Sequence, residues 1–459
     1  MDIDAIKSVY FVGAGGIGMS ALVRYFLSLG KIVAGYDRTQ SELTERLNAE
    51  GANIHYEDSL VLIPDECRDK EHTLIVYTPA VPQDHSELCW FRNQGFEVQK
   101  RAQVLGAITR SRRGLCVAGT HGKTTTSSMA AHLLYGSHIG ATAFLGGILQ
   151  NYGTNLLLSD KSDYVVIEAD EYDRSFHQLS PYISVITSTD PDHLDIYGTA
   201  EAYWESFEIY TSLIQPGGAL IMHEGLEISP RVQEGVHIYT YSRSKGDFHA
   251  RNVRIGGGEI IIDFVHPNGI VTDIKLGVPL SVNIDNGIAA MAIAWLCGVT
   301  EEDLREGMAS FRGVERRFDF KLKTDAKVYL SDYAHHPAEI RQSAQSIREL
   351  YAGRKVTAIF QPHLYSRTQD FYSEFAESLS LFDEVILTDI YPAREEPIPG
   401  VSSKLIYDHL KPSVQKLMIG KSEVVATVEA KKNDIEVLVT LGAGDIENYA
   451  AEITQILKS

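Results

Sequence analysis

Cysteine is scarce in this 459-residue chain, which has only Cys67, Cys89, Cys116 and Cys297 and no C-x-x-C pair among them. That spacing argues against a disulfide framework and a zinc-cysteine site, and a reducing compartment is expected. Long apolar runs are also lacking. The longest stretch of low polarity, residues 287–299, is shorter than the roughly 17–25 residues that span a bilayer. Residues 1–8, MDIDAIKS, have neither the basic end nor the apolar stretch of a signal peptide. A soluble cytoplasmic protein with no membrane partner is therefore expected. Basic residues are in deficit, with Lys+Arg 42 against Asp+Glu 61 and a net charge of −19. Such a chain has no general attraction for nucleic acid or anionic lipid, so any phosphate it binds must be caught by local groups.

The remaining composition, 44% hydrophobic and 22% charged, is that of a globular protein, and the length predicts about three domains. One unit recurs: a short apolar strand, a turn bearing polar groups, then a helical stretch. Residues 9–12 lead into Gly13, 32–34 to Asp37, 74–77 to Thr78 and Pro79, and 115–118 to a second glycine-rich turn. Residues 165–167 end in Glu168, Asp170 and Glu171, and 183–187 end near Asp190. The pattern returns at 328–330, 356–360, 385–387 and 437–440. Continuous apolar runs alternating with helices predict an α/β fold with parallel sheets covered on both faces. Polar residues just past such strands fall at the carboxyl edge of the sheet, where open α/β folds bind ligands. That placement predicts an enzyme. Residues 216–275, with Gly256, Gly257 and Gly258, read as a β-rich part of the middle domain, and residues 289–296 as core helix. Domain boundaries are expected at 1–112, 113–314 and 315–459.

Two glycine turns carry the chemistry. Gly13-Ala14-Gly15-Gly16-Ile17-Gly18 matches G-x-G-x-x-G between a strand and a helix, with Asp37 about 20 residues on. These glycines let a diphosphate approach a helix N-terminus, and the acid can hold a ribose hydroxyl. A tight turn without ligand is the alternative. The second turn is Gly119-Thr120-His121-Gly122-Lys123-Thr124-Thr125. It is shorter than the standard G-x-x-x-x-G-K-T loop, since Val117 stands five before Gly122. Its N–H groups, lysine and hydroxyl still suit ATP phosphates and Mg²⁺. Glu168, Asp170, Glu171 and Asp173, and then Asp190, Asp192 and His193, supply further ligands of the kind Mg²⁺ prefers. Adjacent His335 and His336 would point to opposite faces of a strand and lack a third ligand, which disfavours zinc there. Arg367, after the strand end at 360–362, can pair bidentately with a carboxylate or form a surface ion pair. Gly442 to Asp445 reads as a turn only.

Together these residues resemble the Mur ligases of bacterial peptidoglycan synthesis, from Val9 to about Ile446. The resemblance is carried by FVGAGGIGMS, AGTHGKTTT, EADEYDRSF, TSTDPDHLDIY, GVERRFD, DYAHHP, FQPHLYSRT and YPAREEPIPG, several of which are typical of the alanine-adding branch. It implies a Rossmann-like N-terminal domain for a UDP-sugar, a central P-loop ATPase-type domain, and a C-terminal Rossmann-like domain for the amino acid. It also implies an ADP-forming ligation with ATP and Mg²⁺, in which the lactyl carboxylate of UDP-N-acetylmuramate becomes an acyl phosphate and L-alanine attacks it. Oligomeric state is left open, a homo-oligomer included.

By the resemblance, Lys123, Glu171 and His193 are catalytic, and Thr124, Glu171 and His193 hold the metal. The nucleotide falls to Gly119, Thr120, His121, Gly122, Lys123, Thr124 and Thr125, with Asn283 and Asn286 near adenine and Asp332 near the ribose. Gly13, Gly15, Gly16, Gly18, Met19, Ser20, Asp37 and Thr78 hold the UDP-sugar, and Tyr333, His335 and Arg367 lie on the amino-acid side. Two positions depart from the family: Val282 stands where a histidine is usual, and Leu364 where many members have a second arginine. The rival readings are a ligase of the same superfamily that recycles a muramyl tripeptide, an NAD-dependent dehydrogenase built on the first turn, and a non-catalytic nucleotide switch.

Overall fold

A computed structural model describes residues 5–459 apart from Pro79, Gly257, Arg316 and Arg394, with every described side chain except that of Asp195. Those four residues, each singled out or contained in a motif above, lie outside the described residues. The chain carries three sheets, as an α/β reading of three domains requires. It divides into two compact units, Met1–Arg251 with Asp263–Ile274 and Asp285–Phe311, and Asn252–Ile262 with Lys275–Ile284 and Arg312–Ser459.

The first sheet contains β1 (Ser8–Val12), β2 (Ile32–Tyr36), β3 (Asn53–His55), β4 (Thr73–Tyr77) and β5 (Glu97–Lys100), all parallel, in the order β3-β2-β1-β4-β5. The order reverses between β1 and β4, which opens a crevice at their carboxyl ends. Residues 8–12 are buried throughout, the mark of a strand covered on both faces.

The second sheet runs β6 (Arg113–Ala118), β7 (Thr142–Leu149), β8 (Thr154–Leu157), β9 (Tyr164–Glu168), β10 (Pro181–Ile186), β11 (Ala219–His223), β12 (His237–Ser242), β13 (Phe248–Gly256), β14 (Glu259–His266) and β15 (Gly269–Lys275). Its order is β15-β14-β13-β12-β11-β10-β6-β9-β7-β8, so β6 lies between β10 and β9. The β-rich stretch expected at 216–275 is β11 to β15. The apolar run at 289–296 falls in the helix Val282–Leu296, where residues 288–294 are fully buried.

The third sheet comprises β16 (Asp319–Lys323), β17 (Val328–Asp332), β18 (Val356–Phe360), β19 (Glu384–Leu387), β20 (Gln415–Met418) and β21 (Val437–Leu441), ordered β16-β17-β21-β18-β19-β20. Only β16 is antiparallel to its neighbour. Because β21 inserts between β17 and β18, the carboxyl ends of these three strands adjoin: Gly442 N–H donates to Asp332 O, and Gln361 N–H to Leu441 O.

One local reading changes. His335 and His336 are not on a strand; β17 ends at Asp332, and Pro337 at the first turn begins the helix Pro337–Leu350 with His336 as its N-cap. Proline fits this position because its missing N–H would be unsatisfied there anyway. The opposite-faces argument therefore does not apply to this pair. Among the described residues, no helix is long and apolar enough to cross a membrane.

Candidate active site

The second glycine turn joins β6 to the helix Lys123–Gly136. Gly122 is the N-cap at φ +80°, a left-handed conformation that favours glycine, and an added Cβ would lie 2.7 Å from Asn286 Oδ1. No side chain caps this helix and no acid stands in its first turn. Its N-terminal N–H groups and dipole are thus left to an anion. Neighbouring strand ends hold the loop: Thr120 N–H donates to Ser188 O, His121 N–H to Ser188 Oγ, and Thr187 Oγ1 donates to His121 O. Thr120 Oγ1 donates to Asp190 O at 2.7 Å, and the Tyr203 hydroxyl lies 2.8 Å from it.

Lys123 Nζ folds over the loop, donating to Gly119 O at 2.7 Å and to Glu171 Oε1 at 2.9 Å; Glu171 Oε2 lies 2.8 Å away, off the line of a hydrogen bond. Burial opposes the charge on Lys123, yet Glu171, Glu168 and Asp170 hold its pKa above the ordinary lysine value. Glu171 is only 2% exposed, and burial pushes its carboxyl up against the pull of Lys123. The Thr124 hydroxyl meets a different carboxylate, donating to Glu168 Oε1 at 3.0 Å. Glu168 Oε2 is buried without a hydrogen-bond partner. Gly146 on β7 gives this carboxylate its space, since a Cβ there would collide with it. His193 Nε2 lies 4.0 Å from Glu171 Oε1, and His121 Nε2 3.6 Å from Asp190 Oδ2. Thr125 is half-buried in the first turn of the helix.

The family resemblance implies Glu171 at the metal. In the structure Glu171 serves as the lysine's counter-ion, and Glu168 is the carboxylate beside the threonine hydroxyl. Glu168 was visible only as one of four clustered acids. Of the two asparagines, Asn286 sits on the loop, accepting from Thr126 Oγ1 at 3.2 Å. Asn283 is buried and donates to Val278 O at 3.1 Å.

In the first domain, Gly15 N–H donates to Asp37 Oδ2 at 2.7 Å, and Asp37 Oδ1 accepts from Thr39 N–H. A Cβ on Gly15 would lie 2.8 Å from Thr44 Cγ2 and 2.9 Å from Asp37 Oδ2. Gly13 packs on Thr78 across the β1/β4 crevice, Gly16 is the N-cap of the helix Ile17–Ser28, and Gly18 lies against the Arg101 guanidinium. Met19 and Ser20 have buried side chains; Ser20 Oγ donates to Ile17 O, and Asn155 Nδ2 reaches both. Their amides bond to Gly16 O, so these two residues fix the helix start.

In the second unit, Asp332 ends β17 and accepts from Ser343 Oγ at 2.5 Å; burial pushes its carboxyl up. The Arg317 guanidinium lies 4.9 Å from the Tyr333 ring centroid, and His335 Nδ1 lies 2.9 Å from Tyr333 O. Burial depresses the His335 pKa against the pull of Glu339, and Arg367 adds to the depression. Arg367 has a buried Nη1 without a hydrogen-bond partner, a cation with donor capacity in hand. Arg317 is not among the site residues the resemblance implies; its place in GVERRFD is the sequence signal for it.

Three domain descriptions match the chain in order: the Mur ligase family catalytic domain over residues 8–113, the Mur ligase middle domain over 117–294, and the Mur ligase glutamate ligase domain over 316–446. A UDP-N-acetylmuramate–L-alanine ligase of Phocaeicola vulgatus is 67% identical over 457 residues, covering 100% of this chain and 99% of that protein. One from Porphyromonas gingivalis is 52% identical, covering 99% of this chain and 100% of that protein. The crystal structure of the UDP-N-acetylmuramate-alanine ligase of Thermotoga maritima superposes with a TM-score of 0.83 at 28% identity, over 98% of this chain and 99% of that one. A murein peptide ligase from Psychrobacter arcticus shares the fold, with a TM-score of 0.67 at 20% identity over 98% of each chain. With three domains matched in order and relatives alike from end to end, the chain belongs to the Mur ligase family.

Proposed function

We propose that this chain joins L-alanine to the lactyl carboxylate of UDP-N-acetylmuramate, releasing ADP and phosphate, in the cytoplasmic assembly of peptidoglycan precursors. The observation that carries this is the 67% identity over the whole chain to a curated ligase of that name. The recycling ligase and the dehydrogenase are disfavoured. The likeness to the murein peptide ligase shows the fold alone, and a dehydrogenase would leave the Lys123 loop and its carboxylates unexplained. Working boundaries for the three domains are 1–112, 113–314 and 315–459.

A free carboxylate is a poor acyl donor, so positioning and charge neutralisation carry the reaction. The loop N–H groups and Lys123 receive the triphosphate. Lys123 exchanges its bonds to Gly119 O and Glu171 for phosphate oxygens, and Glu171 keeps it charged. Mg²⁺ fits the oxygen donors Thr124 and Glu168: the buried Glu168 Oε2 has no hydrogen-bond partner, and the pocket formed by Gly146 keeps space for that carboxylate. Bound there, the metal would neutralise phosphate charge. Asp37 and the Gly13–Gly18 turn receive the UDP-sugar, and Arg367 receives the alanine carboxylate, with His335 beside it neutral.

ADP release with UDP-N-acetylmuramate and, in turn, L-alanine, glycine, L-serine and a muramyl-type tripeptide tests the assignment. L-Alanine is expected to give the highest kcat/KM; release with the tripeptide and none with L-alanine would transfer the chain to the recycling class.

Arg367 tests the amino-acid side. Arg367→Lys is expected to raise the apparent KM for L-alanine with a much smaller change for ATP, because lysine loses the planar two-bond geometry. Arg367→Ala should cost on the order of 1.5–3 kcal/mol, or roughly 10- to 100-fold in kcat/KM for alanine. Initial rates over an alanine series decide. An unchanged alanine dependence in both variants would place the carboxylate elsewhere.

A further inference from the structure

A cluster of titratable side chains in the first domain takes no part in the mechanism above. His55 ends β3, Asp58 follows it, and His85 and Glu87 stand at the start of the helix Ser86–Asn93. One ligand atom from each of Asp58, His85 and Glu87 lies within 4.8 Å of the others. His85 Nδ1 is 3.5 Å from Asp58 Oδ1, and His55 Nε2 is 3.4 Å from Glu87 Oε1.

We infer that this cluster is a second cation site, taking a divalent ion of the zinc class through Asp58, His85 and Glu87. Zinc bound at about 2.0–2.2 Å by tetrahedral nitrogen and oxygen ligands sets neighbouring ligand atoms roughly 3.3–3.5 Å apart. The separation of His85 Nδ1 from Asp58 Oδ1, 3.5 Å, already lies in that range. An independent observation comes from His85, which is 6% exposed yet has a buried Nε2 without a hydrogen-bond partner. Its ring therefore has only the weak contacts at Nδ1 to hold it in the cluster. Supporting groups of the kind that orient metal ligands are also in place. The Tyr10 hydroxyl donates to Glu87 Oε2 at 2.7 Å, and Ser59 N–H donates to Oε1 at 3.1 Å. Ser86 and Glu87 N–H groups donate to the two oxygens of Asp58.

Glu87 is fully buried and His85 nearly so, which shields the cluster from solvent. The donor set of nitrogen and carboxylate favours zinc-class ions, whereas Mg²⁺ prefers oxygen alone.

The test is zinc titration of chelator-stripped, untagged full-length protein by calorimetry in excess Mg²⁺, with retained metal measured after desalting. One equivalent of zinc is expected, weakened at least tenfold in His85→Gln and in Asp58→Asn, and retained in Glu168→Gln. Asp58 is partly exposed, so its variant guards against loss of fold at the buried histidine. Co²⁺ in the same site should show the visible absorption of four-coordinate nitrogen and oxygen ligation. Failure of the wild-type protein to hold zinc at micromolar concentration would overturn the site, as would equal binding by both variants. Zinc lost in Glu168→Gln would assign the ion to the phosphate loop and also overturn it. Ligation activity is not the readout, so failure here leaves the proposed function standing.

Discussion

Lys123→Ala is expected to lower the rate of ADP release at saturating substrates by roughly 10³-fold or more, about 4 kcal/mol of transition-state stabilisation. The lysine is the fixed cation over the loop, and the charge that develops on the transferring phosphoryl group has no equivalent partner once it is gone. The substitution also strands Glu171 in a buried position. Burial already pushes that carboxyl up, and without Lys123 it is driven further towards the protonated form. Between the ordinary glutamate value of 4.5 and the wild-type folded value of about 7, both folded proteins hold a proton that the unfolded chain has lost, and both lose stability alike as the pH rises. Above about 7 only the variant's folded state keeps that proton, so the stability of the variant relative to wild type falls as the pH rises from there towards its own higher folded value. Thermal melts of both proteins across the pH series read this sign directly. Near-normal ADP release by the variant in the presence of Mg²⁺ would reject the phosphate-loop assignment.

Glu168→Gln should give the second-largest loss, roughly 10²-fold in kcat together with a rise of at least tenfold in the Mg²⁺ concentration for half-maximal rate. The amide keeps the size of the side chain and can still accept from Thr124, so the change removes charge while leaving the packing. Glu171→Gln gives the contrast. Removing the lysine's counter-ion should lower the rate with a smaller shift in Mg²⁺ dependence, because Glu171 is bonded to Nζ and not to the threonine hydroxyl. Mg²⁺ titrations of ADP release at saturating ATP separate the two. If the Glu171 variant carries the Mg²⁺ shift and the Glu168 variant does not, the metal belongs where the family resemblance implies.

The bonding of Glu171 to Lys123 and of Glu168 to Thr124 bears on which parts of the site can be read from sequence. Strand ends were legible because parallel strands buried on both faces are continuous apolar words, and the first polar residue after each marks the sheet's edge. Asp37 and Glu168 follow from that rule, whereas Lys123 follows from the glycine-rich loop and Asp332 only from the family resemblance. Choosing between Glu168 and Glu171 does not, since both stand within four residues of one strand end. The choice depends on which of them meets Lys123 and which meets Thr124, a pairing no periodicity encodes. The role of Gly146 was equally hidden, because it depends on β7 lying next to β9. Met19 and Ser20 belong to the glycine motif by position, but the Ser20 hydroxyl is held by Asn155 on β8. The strand reading of the histidine pair after β17 fails because Pro337 starts a helix immediately after it.

The two glycine turns bear on how the protein could respond to an inhibitor. At Gly15 and Gly122 the main chain itself forms the wall, and a side chain at either position would run into Asp37 and Thr44 or into Asn286. A compound that draws its affinity from backbone N–H groups in these turns would meet a surface with almost no mutational latitude. Single substitutions there displace the loop before they displace the compound, so resistance would have to arise from second-layer residues or from altered abundance. The same backbone geometry that lets phosphates approach thus narrows the routes open to selection.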